Sequence, residues 1–453
     1  MSYHYLHIPA SFLRRKGRVG IFTLLLLLVS ACSVRQSAPA VSPLEDALAQ
    51  AGGNRAELEK VLRRYSLRPE DSLKYRAACF LIENMPGYGG YEGSQLDDYL
   101  IYYKLLAETR GIEPAVLADS VTRRYGAFRS DSLRWRADIL TVDSAFLCRN
   151  IELAFKVWRE QPWGKHVGFA DFCEYILPYR VGNERLTPWR EAVYREFNPL
   201  LDSLRTLAMS GNDDPAVAAR VVLDSIRGGR VVFTTTSPAD LPHVGFDVAR
   251  LKAGSCREFT DFTVYVCRAL GIPCAVDFMP VRGENNDGHQ WVSFPDKYGG
   301  VFFEEFPRSV KEARRSLMYT TPKLKVYRTT FSLNRRMQAD MQRLDTTVVP
   351  LFRHPRFKDV PFPMPATSSR SFACPGTSFM EAGPVRPLPT FVPAGAWVGS
   401  RWRGWRSLGR QTATADSLRY EEVPVGTLLL LRNHTRGAQE RIFVMEEGRQ
   451  VWK

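Results

Sequence analysis

The sequence predicts an α+β protein with a helical N-terminal domain, a mixed core and a β-sandwich-like C-terminal domain. Apolar residues recur at three- and four-residue spacing through most of residues 44–228, which is typical of amphipathic helices. Residues 229–322 combine one helical pattern with three short runs of alternating polarity, which predict strands. From 323 to 453 strand-like runs flank a section rich in Pro and Ser, at 355–391. A length of 453 residues suits two or three such domains.

Residues 1–31 have the pattern of a secretory signal peptide. Four basic residues between positions 14 and 18 precede a short apolar run at 19–29, and small residues follow. A membrane-spanning anchor would need ~20 apolar residues, so this run is short for one. The letters "VSAC" that end at Cys32 resemble the lipobox of bacterial lipoproteins, which implies that Cys32 becomes lipidated. Residues 32–43, small, polar and Pro-containing, would then be a tether.

The net charge indicates which partners to expect, and the cysteine content indicates whether disulfide bonds form. The net charge is +14, and removal of residues 1–31 leaves 58 basic and 48 acidic side chains. In an exported protein we expect this excess to favour anionic envelope surfaces, and we expect no nucleic-acid partner. Apart from Cys32 there are seven cysteines and no Cys-x-x-Cys pair, so at least one free thiol is expected. No acidic run follows Cys32, which favours the periplasmic side of the outer membrane.

The helical and strand patterns give a predicted order of elements. Helices are expected at 96–109, 113–124, 130–138, 145–159 and 187–207, with a break at "MPGYGGYEG". The core should then hold a helix at about 255–270, stopped by Gly271 and Pro273, and three antiparallel strands at 274–279, 289–294 and 301–306.

Two features outside the core leave alternatives open. Arg180 and Glu184 lie in an aromatic-rich stretch, where they could form a buried ion pair or a packing corner. Alternatively, Arg180 could bind a substrate carboxylate, since guanidinium binds carboxylates with two parallel hydrogen bonds. The stretch "WVGSRWRGWR" at 397–406 could bind sugar or an anionic polymer, or could simply pack at a sheet edge.

Cys256 is the candidate nucleophile. A thiol attacks as the thiolate, and both a helix N-terminus and a neighbouring imidazole lower its pKa. The predicted helix begins at about this residue, and His289 begins the second of the three strand-like runs that follow the helix. Glu304 and Glu305, on the following strand, are candidates to orient the imidazole. Helix, strand and strand would thus supply a nucleophile, a base and an acid.

The segments "GSC", "CRALGIPCAV", "HQW" and "FFEEFP" resemble the transglutaminase-like superfamily, which has a papain-like fold, over residues 251–308. The resemblance implies that Cys256 is the nucleophile, that His289 is the base and that Trp291 packs beside it. The family has Asp as the third member. Here Glu304 or Glu305 would replace it, with Glu304 favoured by the preceding hydrophobic run. The helical domain more loosely resembles lipoproteins of Bacteroides-like bacteria.

The implied function is thiol-dependent acyl transfer on amide bonds, by a peptidase, amidase or transglutaminase. The expected substrate is a peptide or protein of the cell envelope, and no metal or other cofactor is required. The alternative from another class is a non-catalytic binding lipoprotein that keeps the fold, which the change from Asp to Glu favours. A zinc site of Cys256, Cys267, Cys274 and His289 would lack the paired spacing of structural sites. Cys256 could also be a buried core thiol.

Overall fold

The computed structural model describes residues 42–206, 211–279, 288–304, 326–335 and 354–360, together with the strands between 369 and 452. At 303, 304 and 359 and in the strands from 369 onward, only the backbone is described. The predicted signal peptide, the lipidation site Cys32 and Glu305 lie outside these residues. Within them, no helix has both the length and the apolar character needed to cross a membrane.

Helices dominate the N-terminal half, as the apolar spacing predicts. They are α1 Pro43–Gln50, α2 Arg55–Ser66, α3 Ser72–Glu83, α4 Ser94–Glu108, α5 Pro114–Tyr125, α6 Ser144–Glu160, α7 Phe169–Asp171, α8 Trp189–Phe197, α9 Asp202–Thr206 and α10 Pro215–Ile226. A π-helical turn follows α7 at Phe172–Ile176. The helices expected at 96–109, 113–124 and 145–159 are confirmed, within two residues at each end.

Two expected helices are wrong. Residues 130–138 form a short 3₁₀ turn and then strand β2, Arg134–Ala137, which pairs antiparallel with β1, Gly89–Glu92. The break predicted at "MPGYGGYEG" therefore contains a strand, because a partner 45 residues away provides its hydrogen bonds. The helix expected at 187–207 is interrupted by a 3₁₀ turn that contains Pro199.

The part of the chain after α10 contains the helix and antiparallel strands that the sequence predicts. Short β3, Val232–Phe233, pairs with β4, Ala253–Gly254, and α11 (Phe246–Ala249) lies between them. Helix α12 is Cys256–Ala269. A five-stranded antiparallel sheet follows, in the order β7-β6-β5-β8-β9. Its strands are β5 Ala275–Met279, β6 His289–Pro295, β7 Val301–Glu304, β8 Tyr327–Thr329 and β9 Phe357–Asp359. The α+β class is confirmed.

The helical segment and the mixed segment share one hydrophobic core. This core contains side chains of α4, α5, α8, α10, α12 and β6, so it extends across the boundary predicted at residue 228. Hydrogen bonds cross the same boundary, because Trp163 Nε1 donates to the carbonyl of Leu270 at 3.0 Å. Helix α12 is enclosed as a result, and twelve of its fourteen residues are buried. A second core joins α1–α3, α6 and residues 167–179.

The C-terminal part forms two antiparallel sheets, as the strand-like runs predict. One has the order β10-β14-β13 and the other β12-β11-β15-β16-β17. Their strands are β10 Ser369–Pro375, β11 Phe391–Val398, β12 Arg401–Arg410, β13 Thr412–Ala413, β14 Ser417–Pro424, β15 Leu428–Leu431, β16 Arg441–Glu446 and β17 Arg449–Trp452. The aromatic and basic stretch 397–406 falls on β11 and β12, where side chains are not described, so its role stays a prediction.

Candidate active site

Helix α12 begins with a capping box that fixes the position of Cys256. The Ser255 hydroxyl accepts from the N–H of Arg257, while the Glu258 carboxylate accepts from the N–H of Ser255 at 2.8 Å. Gly254 precedes this cap at φ +134°, where a Cβ atom would come within 2.8 Å of the Glu258 carboxylate. Only glycine fits such a backbone and such a contact without strain. The first residue of the helix is therefore held firmly, and that residue is Cys256.

Glu258 connects this cap to the surrounding structure. Its carboxylate also accepts from Arg257 Nε at 3.0 Å and from the Tyr103 hydroxyl at 3.2 Å. Burial raises the pKa of Glu258, but the charge of Arg257 and the hydrogen bonds of Ser255 outweigh it, so the net pKa lies below the usual value. Glu258 is thus a buried anion two residues after Cys256 on α12.

Cys256 and His289 lie together. The imidazole of His289 forms a hydrogen bond with the half-buried thiol, and the backbone N–H of Gln290 donates to the same sulfur. Burial raises the pKa of Cys256, but the hydrogen bond and charge of His289 and the bond from Gln290 outweigh it. The net pKa lies below that of an ordinary thiol. The ring of Trp291 lies 5.9 Å from that of His289, on the same strand.

The predicted third member is described only in part. The backbone of Glu304 pairs with that of Val292 on β6, so β7 does lie beside the strand that begins with His289. The side chain of Glu304 and the whole of Glu305 lie outside the described residues. Which of the two glutamates orients His289 stays a prediction.

Arg180 lies inside the protein, and this corrects the expectation that it binds substrate. Its residue exposure is 3%, and its guanidinium binds both carboxylate oxygens of Asp138, one of them at 2.6 Å. Another nitrogen donates to the backbone carbonyl of Glu184. The buried ion pair is therefore the right alternative, but its acid is Asp138 and not Glu184. The carboxylate of Glu184 instead accepts from the N–H groups of Val181 and Gly182.

A second imidazole–carboxylate pair contacts the same helix, and the sequence reasoning missed it. His243 Nδ1 lies 2.7 Å from an oxygen of Asp261, which is five residues after Cys256 on α12. Burial lowers the pKa of His243, but the charge and hydrogen bond of Asp261 outweigh it and raise the pKa above its usual value. The available signal was Asp261 itself, a carboxylate within the apolar run "REFTDFTVYV".

Three of the remaining described cysteines have the character of core thiols. All six described cysteines are free, and Cys173, Cys267 and Cys274 are buried. Cys267 and Cys274 are hydrogen-bonded to each other. Across the described part of the chain, no three His, Cys, Asp or Glu side chains are grouped so as to hold a metal ion.

A cavity of about 410 Å³ shares one residue, Gln290, with the surroundings of the Cys256–His289 pair, although neither Cys256 nor His289 lines it. Gln290 is common to both, because its N–H contacts the thiol and its residue lines the cavity. His243 is on the cavity wall as well, so both imidazole–partner pairs are near one space.

Residues 205–304 match the family model described as the transglutaminase-like superfamily. That interval includes α10, α12 and β5 to β7, and therefore both Cys256 and His289. No match was found among curated proteins or among solved structures. The match supports a transglutaminase-like core in this part of the chain.

Proposed function

We propose that the protein is an envelope-anchored lipoprotein that performs thiol-dependent acyl transfer on amide bonds. The observation that supports it best is the hydrogen bond between the Cys256 thiol and the His289 imidazole at the start of a capped helix. The match of residues 205–304 to the transglutaminase-like superfamily is consistent with the same chemistry.

In the proposed reaction, the Cys256 thiolate attacks the amide carbonyl carbon of a peptide or protein. As the C–N bond breaks, the protonated His289 gives its proton to the departing amine, leaving a thioester on Cys256. Water or a second amine then attacks the thioester, and His289 accepts the proton of that nucleophile. Cys256 is the first residue of α12, so its N–H has no acceptor within the helix and is available to bind the developing oxyanion.

The role of His289 can be tested with an activated ester such as 4-nitrophenyl acetate. We expect a thioester on Cys256 by intact mass, with a burst of nitrophenolate, and no burst in Cys256→Ser. In His289→Ala the burst rate should fall by about 100-fold or more, because the proton acceptor is lost. His166→Ala is the matched control, since His166 is a surface residue paired with Asp213.

A binding function without catalysis is the competing proposal. It predicts that the wild-type protein forms no thioester with any activated ester, although it is folded. A folded wild type that reacts no faster than Cys256→Ser would overturn the acyl-transfer proposal and favour this one.

The anchoring part of the proposal rests on Cys32 and on the signal-like pattern before it. Lipidated Cys32 would hold the protein at a bacterial membrane, on the periplasmic side of the outer membrane. Labelling with radioactive palmitate should mark the wild type and not Cys32→Ala. Equal labelling of the two would contradict the anchor.

A further inference from the structure

The cavity lined by Gln290 has one wall from the sheet and one from the helical segment. Val276, Phe278 and Gln290 form part of the sheet wall, where register pairs Phe278 with Gln290. The helical segment contributes residues 87–89, Tyr91 and residues 181–183 to the lining. A volume of about 410 Å³ is that of a ligand pocket and not of a packing defect.

Gln290 connects the cavity to the reaction centre. Its backbone N–H donates to the thiol of Cys256, so one residue joins the cavity wall to the surroundings of the reacting atom. The side-chain Nε2 of Gln290 is buried and has no hydrogen-bond partner among the described residues. That nitrogen is covered by protein atoms, so the contribution of Gln290 to the connection is its backbone and not its amide.

The charged residues of the cavity wall indicate which chemical group of a ligand the cavity would bind. None of the lining residues is Asp or Glu, whereas His243, His354 and Arg356 are all present. Arg356 donates to the backbone carbonyls of Asn84 and Pro86, so its guanidinium is already engaged. Burial lowers the pKa of His354 to about 4, so that ring is neutral near neutral pH. Of these three basic side chains, His243 is thus the one left to contact a ligand.

His243 is positioned to donate from its second nitrogen. Asp261 holds Nδ1, and Nε2 has no partner in the described part of the chain. Its backbone N–H donates to Asn183 Oδ1 at 2.9 Å, which fixes the loop. Gly182 is in contact with the ring, because a Cβ atom there would lie 2.4 Å from the Cγ atom of His243. The ring is therefore held from three sides.

We propose that this cavity receives the acyl part of the substrate and that His243 selects acyl groups that carry a free carboxylate. The inference rests on the proposed acylation of Cys256. The acyl part is the better candidate because it stays bonded to the sulfur in the thioester, whereas the amine must leave to solvent.

Matched probes separate this inference from acylation itself. We would compare the α-(4-nitrophenyl) esters of N-acetylglutamate and N-acetylglutamine, which differ only in a side-chain carboxylate against a carboxamide. The γ-(4-nitrophenyl) esters of N-acetylglutamate and of its α-amide make the same comparison for a terminal carboxylate. Both members of a pair need the same Cys256–His289 chemistry, so the ratio of their acylation rates cancels its pH dependence.

We expect the wild type to prefer a carboxylate probe by about tenfold or more near pH 6, the worth of one charge-assisted hydrogen bond. His243→Gln should bring the ratio close to one. The wild-type ratio should also fall as the pH rises through the pKa of His243, which lies above its usual value. Three other charged groups face His243: Asp261, whose pKa burial raises, Glu184, whose pKa is lowered, and Arg257, whose pKa is raised. Glu184 and Arg257 therefore keep their charges near neutral pH.

Glycine variants test the position of the ring without removing it. Gly182→Ala should lower the ratio, because the methyl group displaces His243. Gly168→Ala should leave it unchanged, since a Cβ at position 168 meets nothing within 4 Å. These variants also decide the matter if His243→Gln does not fold.

The outcomes are distinct. Acylation of the wild type with a ratio near one for both pairs would overturn this inference and leave the proposed function standing. A preference that survives in His243→Gln or in Gly182→Ala would overturn the role of His243. The absence of any acylation would overturn the proposed function and this inference with it. If the α-ester pair shows the larger ratio, the preferred carboxylate is that of a side chain. If the γ-ester pair shows the larger ratio, it is a terminal carboxylate.

Discussion

Replacing Glu258 by Gln should lower the free energy of unfolding of the protein, and it should also lower the pKa of the Cys256 thiol. The carboxylate accepts four hydrogen bonds, from the N–H and hydroxyl of Ser255, from Arg257 and from Tyr103. A carboxamide has one acceptor oxygen, so in either orientation its NH₂ group faces donors. The loss of a charge-assisted bond and the unpaired donors together predict a cost of about 2–4 kcal/mol in the free energy of unfolding.

The pH dependence of this cost has a definite sign. The pKa of Glu258 is lowered in the folded state, so its stabilisation is present above the unfolded pKa and is lost as the pH falls through the folded pKa. The gap in melting temperature between the wild type and Glu258→Gln should therefore be largest near pH 7. It should shrink below about pH 4. Scanning fluorimetry across this range measures it.

The same substitution also changes the pKa of the Cys256 thiol, because it removes the negative charge of Glu258. The carboxylate of Glu258 raises the pKa of Cys256, so its removal should lower that pKa and increase the rate of alkylation by iodoacetamide near neutral pH. Glu196→Gln is the control, because its pair with Arg250 is exposed and should cost less than about 1 kcal/mol. If Glu258→Gln were as stable as Glu196→Gln, or had a higher thiol pKa, the account of the capping box would be wrong.

Three further predictions concern the reactivity of Cys256, the helix cap at Gly254 and the buried Arg190. Limiting iodoacetamide should label Cys256 before Cys148, whose pKa burial raises, and peptide mapping that found the reverse would refute the lowered thiol pKa. Gly254→Ala and Gly126→Ala both strain a positive φ and should each cost about 1–3 kcal/mol by thermal unfolding. Only Gly254→Ala should also slow the alkylation, because it displaces the helix cap, and equal rates would contradict this. Arg190→Met should lower the stability by about 3–5 kcal/mol, since the buried guanidinium donates to four backbone carbonyls, and a loss under 1 kcal/mol would be evidence against that role.

Local signals in the sequence were sufficient for the helix and strands around the candidate site. The helix expected at 255–270 is Cys256–Ala269, because the small residues before it and the Gly-x-Pro after it act within a few residues. The alternation of β5 after Cys274 likewise depends on burial of one face, which periodicity reveals.

What could not be predicted depends on distant partners. Residues 134–137 form a strand only because β1 is adjacent, and Arg180 pairs with Asp138, 42 residues upstream, instead of the nearby Glu184. His243 and Asp261 are 18 residues apart, with α11 and β4 between them, and no spacing rule connects them. In each case the tertiary fold brings together residues that are distant in sequence, and no local sequence pattern predicts such a contact.

The contacts of Leu333 and Arg356 have a consequence for the order in which the chain folds. Arg356 donates to the carbonyls of Asn84 and Pro86, about 270 residues earlier, and Leu333 donates to Asn84. Until those late residues arrive, the carbonyls at the end of α3 have no native partner. A chain that emerges from its N-terminus, from a ribosome or through a membrane pore, must therefore keep its first third incomplete until three quarters of it has emerged. Contacts of such long sequence separation slow folding, so a nascent form that binds chaperones is the natural consequence of this architecture.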